Sequence, residues 1–194
     1  MIKMVVVLTV LSAVSGGLLA GVRNGTQAQI ENQQLAFVKG PAIRTILEGA
    51  SNDPITDRFK LPYADGDESF FVGKFDGQPK AVAFETHGKG FGGDVGVMVG
   101  VNLEDGKIIN IGVTTHQETP GVGSRAKSTT DLSDKFIGRE LTGEFKVKPD
   151  GGQIDALSGA TVTSRGVCAA VTDAAKLYAE LKPQVEEKAK TVGQ

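Results

Sequence analysis

Four hydroxyl side chains, Ser158, Thr161, Thr163 and Ser164, fall within seven residues around the step Gly159-Ala160, in the stretch from Asp155 to Val167. Directly after them Val167, Ala170, Val171, Ala174, Tyr178 and Leu181 recur at spacings of one, three and four, the apolar stripe of an amphipathic helix. The hydroxyls therefore belong to a helix N-terminus. Unpaired backbone N–H groups and the positive end of the helix dipole favour an anion there, phosphate above all. A plain Ser/Thr N-cap is the competing explanation, but a cap needs one hydroxyl and this segment has four. Spacing alone does not choose among Thr161, Thr163 and Ser164.

A second group that could do chemistry is His116-Gln117-Glu118-Thr119-Pro120-Gly121-Val122-Gly123, where alternation stops and Pro-Gly marks a tight turn. On an extended strand His116 and Glu118 would share a face and could act as an acid/base pair, although no nucleophile is near them in sequence. A third is Gly88-Lys89-Gly90-Phe91-Gly92-Gly93, glycine-rich but without the Lys-Ser/Thr ending of a phosphate loop, which reads as a flexible loop.

The remaining residue types narrow the chemistry. The single cysteine, Cys168, excludes an intrachain disulfide and a cysteine-ligated iron–sulfur cluster within the chain, and reads as a small buried apolar residue. Two histidines, His87 and His116, argue against a His-rich metal site. Redox chemistry, if present, must come from an organic cofactor. No G-x-G-x-x-G opens a helix after a strand, so a Rossmann site is not indicated. A net charge of −2 without a basic run gives no reason to expect nucleic acid.

The elements that must position these residues follow from periodicity. Met4 to Val22 is a run of 19 uncharged residues, about 28 Å as a helix, close to the hydrocarbon thickness of a bilayer. Ala20-Gly21-Val22 is a poor signal-cleavage site and no cysteine follows for a lipid anchor, so residues 1–23 are expected to form one retained transmembrane helix. Residues 24–49 should be a juxtamembrane helical segment, restarted at Gly40-Pro41 with Pro41 in a first turn. Phe71–Phe75 and Ala81–Thr86 flank Asp76-Gly77, a hairpin signal. Val95, Val97, Val99, Val101 and Leu103 alternate as a strand with one buried face, returning through Ile109, Ile111 and Val113. Asp131 to Ile137 fits a short helix, capped from Ser128 to Thr130, and Glu144–Lys148 an edge strand. The expectation is an α+β domain over 50–184, an antiparallel sheet with flanking helices, followed by a polar tail over 185–194 that frays after Pro183.

Ser158-Gly159-Ala160-Thr161-Val162-Thr163-Ser164 resembles the S/T-G-A-T-x-T-S/T signature of the FMN-binding domain of ion-pumping respiratory complexes. That domain occurs in the G subunit of the Rnf ferredoxin:NAD oxidoreductase and in the C subunit of the sodium-pumping NADH:quinone oxidoreductase. The 116–123 segment is similar to the family's H-x-E-T-P-G-L-G turn, which lies against the flavin ring, and the 88–93 turn is similar too, with Phe91 where Tyr is usual. The resemblance implies covalent FMN in a phosphoester to Thr163, installed by a flavin transferase, with Ser158, Gly159, Ala160, Thr161 and Ser164 around it. It implies that Glu118, Thr119 and Val122 line the ring pocket, Val122 departing from the usual Leu. It further implies an anchored subunit of the inner membrane, its domain outside the cytoplasm, that relays electrons among the other subunits. The shorter chain is more like the Rnf protein than its quinone-reductase counterpart. A stand-alone anchored flavoprotein, and a non-redox extracytoplasmic binding domain in which the hydroxyls only cap a helix, are the alternatives.

Overall fold

The structure is a computed structural model that describes residues 2–64 and 66–192; Met1 of the expected anchor and the last two residues of the expected tail, Gly193 and Gln194, lie outside the described residues. The chain divides into two units, one up to Phe37 and one from Val38 onward.

The first unit is helical. Helix α1 spans Ile2–Gln33, and its segment Ile2–Gln27 is long and apolar enough to cross a membrane, with none of the apolar window buried. The helix does not stop at Arg23. It continues through the polar residues to Gln33 and passes into a π-helical stretch, Gln34–Lys39.

In the second unit α2, Gly40–Ile46, carries proline in its first turn, as a restart at Gly40-Pro41 requires. Five strands follow in sequence: β1 Arg58–Tyr63, β2 Gly66–Phe75, β3 Gln78–Lys89, β4 Asp94–Asn102 and β5 Ile108–Val113. They form one antiparallel sheet in the order β1-β2-β3-β4-β5, the α+β meander expected. Asp76 and Gly77 both take positive φ, 53° and 76°, which is the geometry of a tight type I′ hairpin turn. After the sheet come a short helix, α3 Arg125–Ser128, and the long helix α4, Thr161–Thr191.

Helix α4 lies on one face of the sheet and buries the whole expected stripe, from Val167 to Leu181, against Phe70, Val82, Phe84, Val97 and Val99. Phe84 stacks on Tyr178 with ring centroids 6.1 Å apart, and Thr86 Oγ1 donates to the Ala170 carbonyl at 2.8 Å. The end of β3 meets the first turns of α4 so closely that a Cβ on Gly88 would collide with the Gly166 carbonyl oxygen. That contact fixes where the hydroxyl-rich segment lies relative to the β3–β4 turn.

Several expectations change. Strand β4 is buried on both faces: Met98 on the second face is fully buried, because α2 brings Ile46 against Gly100 there. A register shift beside Val101 puts Ile108, not Ile109, into the core. Only a single 3₁₀ turn, Ser133–Lys135, forms in the 131–137 segment, preceded by α3. Glu144–Lys148 is not a strand. Val147 makes one isolated parallel bridge to Ile154, and the Phe145 N–H is taken by Thr172 Oγ1 at 2.8 Å. The polar tail does not fray after Pro183: α4 runs to Thr191, with Val185 and Ala189 fully buried, continuing the stripe from Leu181 at intervals of four.

Candidate functional site

Three segments distant in sequence converge on a cavity of about 420 Å³. Gly159 to Thr163, the entry and first turn of α4, form one wall. Glu118, Thr119, Val122 and Gly123, from the loop after β5, form the second, and Phe91 at the tip of the β3–β4 turn the third. Each segment is shaped for the purpose. Gly159 enters α4 with φ 77°, and Gly121 turns the loop with φ 73°. The β3–β4 turn is closed by a hydrogen bond from Gly90 N–H to the Gly93 carbonyl at 2.9 Å.

Glu118 is the polar centre of the site. It is 5% exposed; its Oε1 accepts from Gly92 N–H at 2.8 Å, and its Oε2 accepts from the Thr163 hydroxyl, so one carboxylate ties the three walls together. Among the described residues no ion pair involves Glu118. Gly123 makes room for this contact: a Cβ there would lie 2.5 Å from Glu118 Oε2 and 2.6 Å from Thr163 Oγ1. Thr163 is 2% exposed and lines the cavity, whereas Phe91 is 74% exposed, Val122 42% and Val162 41%. The cavity thus has a hydroxyl–carboxylate floor and an apolar rim.

The expected site residues separate into two groups. Gly159, Ala160, Thr161, Thr163, Glu118, Thr119 and Val122 are brought together. Ser158 and Ser164 do not line the cavity. Ser158 is exposed, and Ser164 is fully buried, its Oγ accepting from Leu157 N–H at 2.9 Å and donating to the Ala160 carbonyl at 3.0 Å. Ser164 therefore fastens the turn that precedes α4. No hydroxyl caps the helix: the N-cap position is Ala160, without a side-chain cap. The plain-cap explanation of the hydroxyl cluster fails for that reason. The first-turn N–H groups of Thr161, Val162 and Thr163 precede any intrahelical acceptor, as at every helix start.

His116 does not pair with Glu118 as acid and base. The strand ends at Val113, and in the irregular loop beyond it His116 Nδ1 accepts from the Glu118 backbone N–H at 3.3 Å. The flexible-loop reading of residues 88–93 is also replaced, since Lys89 still belongs to β3, and Phe91 and Gly92 are parts of the site. The signal for Phe91 was one large apolar residue isolated among glycines. For Gly92 and Gly123 the sequence held no signal, because their roles depend on where Glu118 lies.

Beyond the rim, Arg165 grips Asp150 with two hydrogen bonds, at 2.6 and 2.7 Å, and holds its carboxyl below the usual carboxylate range. Burial pushes the Cys168 thiol up to about 12, which keeps it protonated and inert. Among the described residues no cluster of His, Cys, Asp and Glu could hold a metal ion.

A sheet backed by one long helix, with an apolar-rimmed cavity at that helix's N-terminus, defines the class. Residues 90–176, from the β3–β4 turn to the middle of α4, match the FMN-binding domain family. Two solved structures share the architecture. The C subunit of a Na(+)-translocating NADH-quinone reductase from Parabacteroides distasonis has a TM-score of 0.51 and 31% identity, over 60% of this chain and 63% of that one. NqrC of Shewanella oneidensis has a TM-score of 0.53 and 25% identity, over 72% of each chain. The more particular assignment comes from a fuller-length relative. Over 179 residues the sequence is 31% identical to the G subunit of the ion-translocating oxidoreductase complex of Vibrio atlanticus, spanning 87% of this chain and 85% of that protein. The chain belongs to the family of G subunits of ion-translocating oxidoreductase complexes.

Proposed function

We propose that this protein is a membrane-anchored flavoprotein subunit that relays electrons within an ion-translocating ferredoxin:NAD oxidoreductase, with FMN joined to Thr163 through a phosphoester. The observation that carries the reading is the floor of the cavity, where the Thr163 hydroxyl lies buried in the first turn of a 31-residue helix.

The residues fit this cofactor. The cavity is within the roughly 300–1,000 Å³ usual for cofactor sites, and its rim is apolar. The first-turn N–H groups of α4 would hold the phosphate, which the helix dipole favours. Phe91, Val122 and Val162 would cover the ring and keep water from it, while Glu118 and Thr119 supply the polar contacts. When bound, FMN supplies the one- and two-electron chemistry that no side chain of this protein can perform. The chain's own part is retention, orientation and control of the surroundings. A tether at Thr163 prevents loss of the flavin on the side of the membrane where it cannot be replaced.

In this reading α1 is the anchor in the cytoplasmic membrane and the domain lies on the extracytoplasmic side; the length and apolar composition of Ile2–Gln27 support the anchor. Its partners are the other subunits of the complex and, during maturation, a flavin transferase. The C subunit of a sodium-translocating quinone reductase is the second reading, favoured by the two structural neighbours. The match along 85% of a G subunit, against 63% and 72% of those two chains, supports the first.

The test is affinity purification of the full chain from detergent-solubilised membranes of its host. The expected result is a band that keeps flavin fluorescence in a denaturing gel and co-purifies with the other redox subunits. A colourless chain that brings down no redox protein would leave the non-redox binding domain as the better reading.

A further inference from the structure

We infer that Glu118 is the general base that activates the Thr163 hydroxyl when the flavin is attached. The inference rests on the reading of Thr163 as the attachment residue and adds a catalytic role for a residue of the acceptor protein itself. An alcohol is a weak nucleophile at neutral pH and needs a base at its proton. In this site Thr163 Oγ1 donates its proton to Glu118 Oε2, so the base is already within hydrogen-bond reach of the proton it must take.

Three further features fit that role. Glu118 is oriented from its other oxygen by Gly92 N–H at 2.8 Å, which keeps Oε2 on the hydroxyl. No ion pair among the described residues engages Glu118, so it can take a proton without giving up a cation. Finally, the other imaginable base, His116, has its Nδ1 turned to the Glu118 backbone N–H.

In the attachment step Thr163 Oγ1 bonds to the FMN-side phosphorus of a flavin adenine dinucleotide and displaces AMP, which leaves with the electron pair of the broken phosphoanhydride bond. The hydroxyl proton passes to Glu118 Oε2 and from there to water through the cavity. Nothing is oxidised or reduced.

The experiment is a time course of attachment on the full chain in detergent, with purified flavin transferase and flavin adenine dinucleotide, read by the mass of the peptide that contains Thr163. Wild type is compared with Glu118→Gln and Glu118→Asp at equal amounts of folded protein, verified by circular dichroism and melting temperature. The Gln variant is expected to lose about 100-fold in rate, the lower end of general-base effects, while Asp, still a carboxylate, retains part of it. A Gln variant within about threefold of wild type would overturn the inference, because the transferase would then supply the base. Equal losses in Gln and Asp would overturn it too, since side-chain length and not basicity would be at stake. Wild-type protein that gains no mass would instead remove the attachment reading on which the inference rests.

Discussion

Two buried glutamates in this domain accept a hydrogen bond from a threonine, and their surroundings separate a structural pair from a functional one. Glu85 on β3 is 8% exposed, accepts a hydrogen bond from the Thr114 hydroxyl, and is closed off by Lys39, whose Nζ is 2.5 Å from Oε2. Glu118 is 5% exposed and accepts a hydrogen bond from the Thr163 hydroxyl, but among the described residues its second oxygen meets a backbone N–H and no cation, and the pair faces a cavity. A buried carboxylate held by a cation is spent on holding elements together: Glu85 fastens the segment entering α2 to the sheet. Glu118, held by neutral donors beside an open volume, has no such tie among the described residues. The same two residue types thus serve packing in one place and are proposed to serve chemistry in the other.

That contrast can be broken in graded steps. The largest effect is expected from Thr163→Ala, which should remove all attached flavin, read as the absence of the added mass. The folded state should lose only about 1–3 kcal/mol by denaturant melting, because the change strands a buried acceptor and removes no cap. Next is Gly123→Ala. Its new Cβ would press on both Glu118 Oε2 and Thr163 Oγ1. Attachment should slow by about 100-fold, the scale expected for a misplacement of an ångström, in a transferase time course. Lys39→Ala acts on the other pair. Stranding Glu85 should cost about 1–3 kcal/mol, less than a fully buried pair because Lys39 is 29% exposed, with the attachment rate unchanged. A Lys39 variant that lost attachment would mean that the two pairs are coupled.

The smallest effect concerns an acid that water surrounds. Arg165 depresses the Asp150 carboxyl, so the pair contributes stability above the unfolded carboxylate range near pH 4, and that contribution is lost as pH falls through the lower folded value. Asp150→Asn should lower the melting temperature slightly at pH 7, with the difference from wild type vanishing on acidification below pH 4.

How much of this could be read from the sequence depended on whether the signal was local. The stripe on α4 and the Asp76-Gly77 turn are local patterns, and both form as read. Strand β1 gave no such signal, since as an edge strand it buries only Leu61 and carries Pro62. Phe145 and Val147 imitated a strand by alternation, yet the sheet has no edge that pairs with them. The end of α4 was hidden by its charge. Lys and Glu occupy the solvent side while Val185 and Ala189 continue the buried stripe, and that burial carries the helix past Pro183. For the site, the hydroxyl cluster was conspicuous, but its sorting was not. Ser164 fastens a turn and Thr163 faces the cavity although they are adjacent, because successive helix positions point about 100° apart. The partner of Thr163 is 45 residues away, and only the docking of α4 on β3, with Gly88 against Gly166, brings the two together.

Whether Thr163 carries the flavin is decided by the mass of the peptide that spans it, taken from full-length protein produced together with a flavin transferase that modifies a control acceptor. The expected result is a gain of one FMN residue on that peptide, localised to Thr163 by fragmentation and absent from Thr161 and Ser164. A peptide of unmodified mass, or the flavin localised to a different hydroxyl, would contradict the assignment.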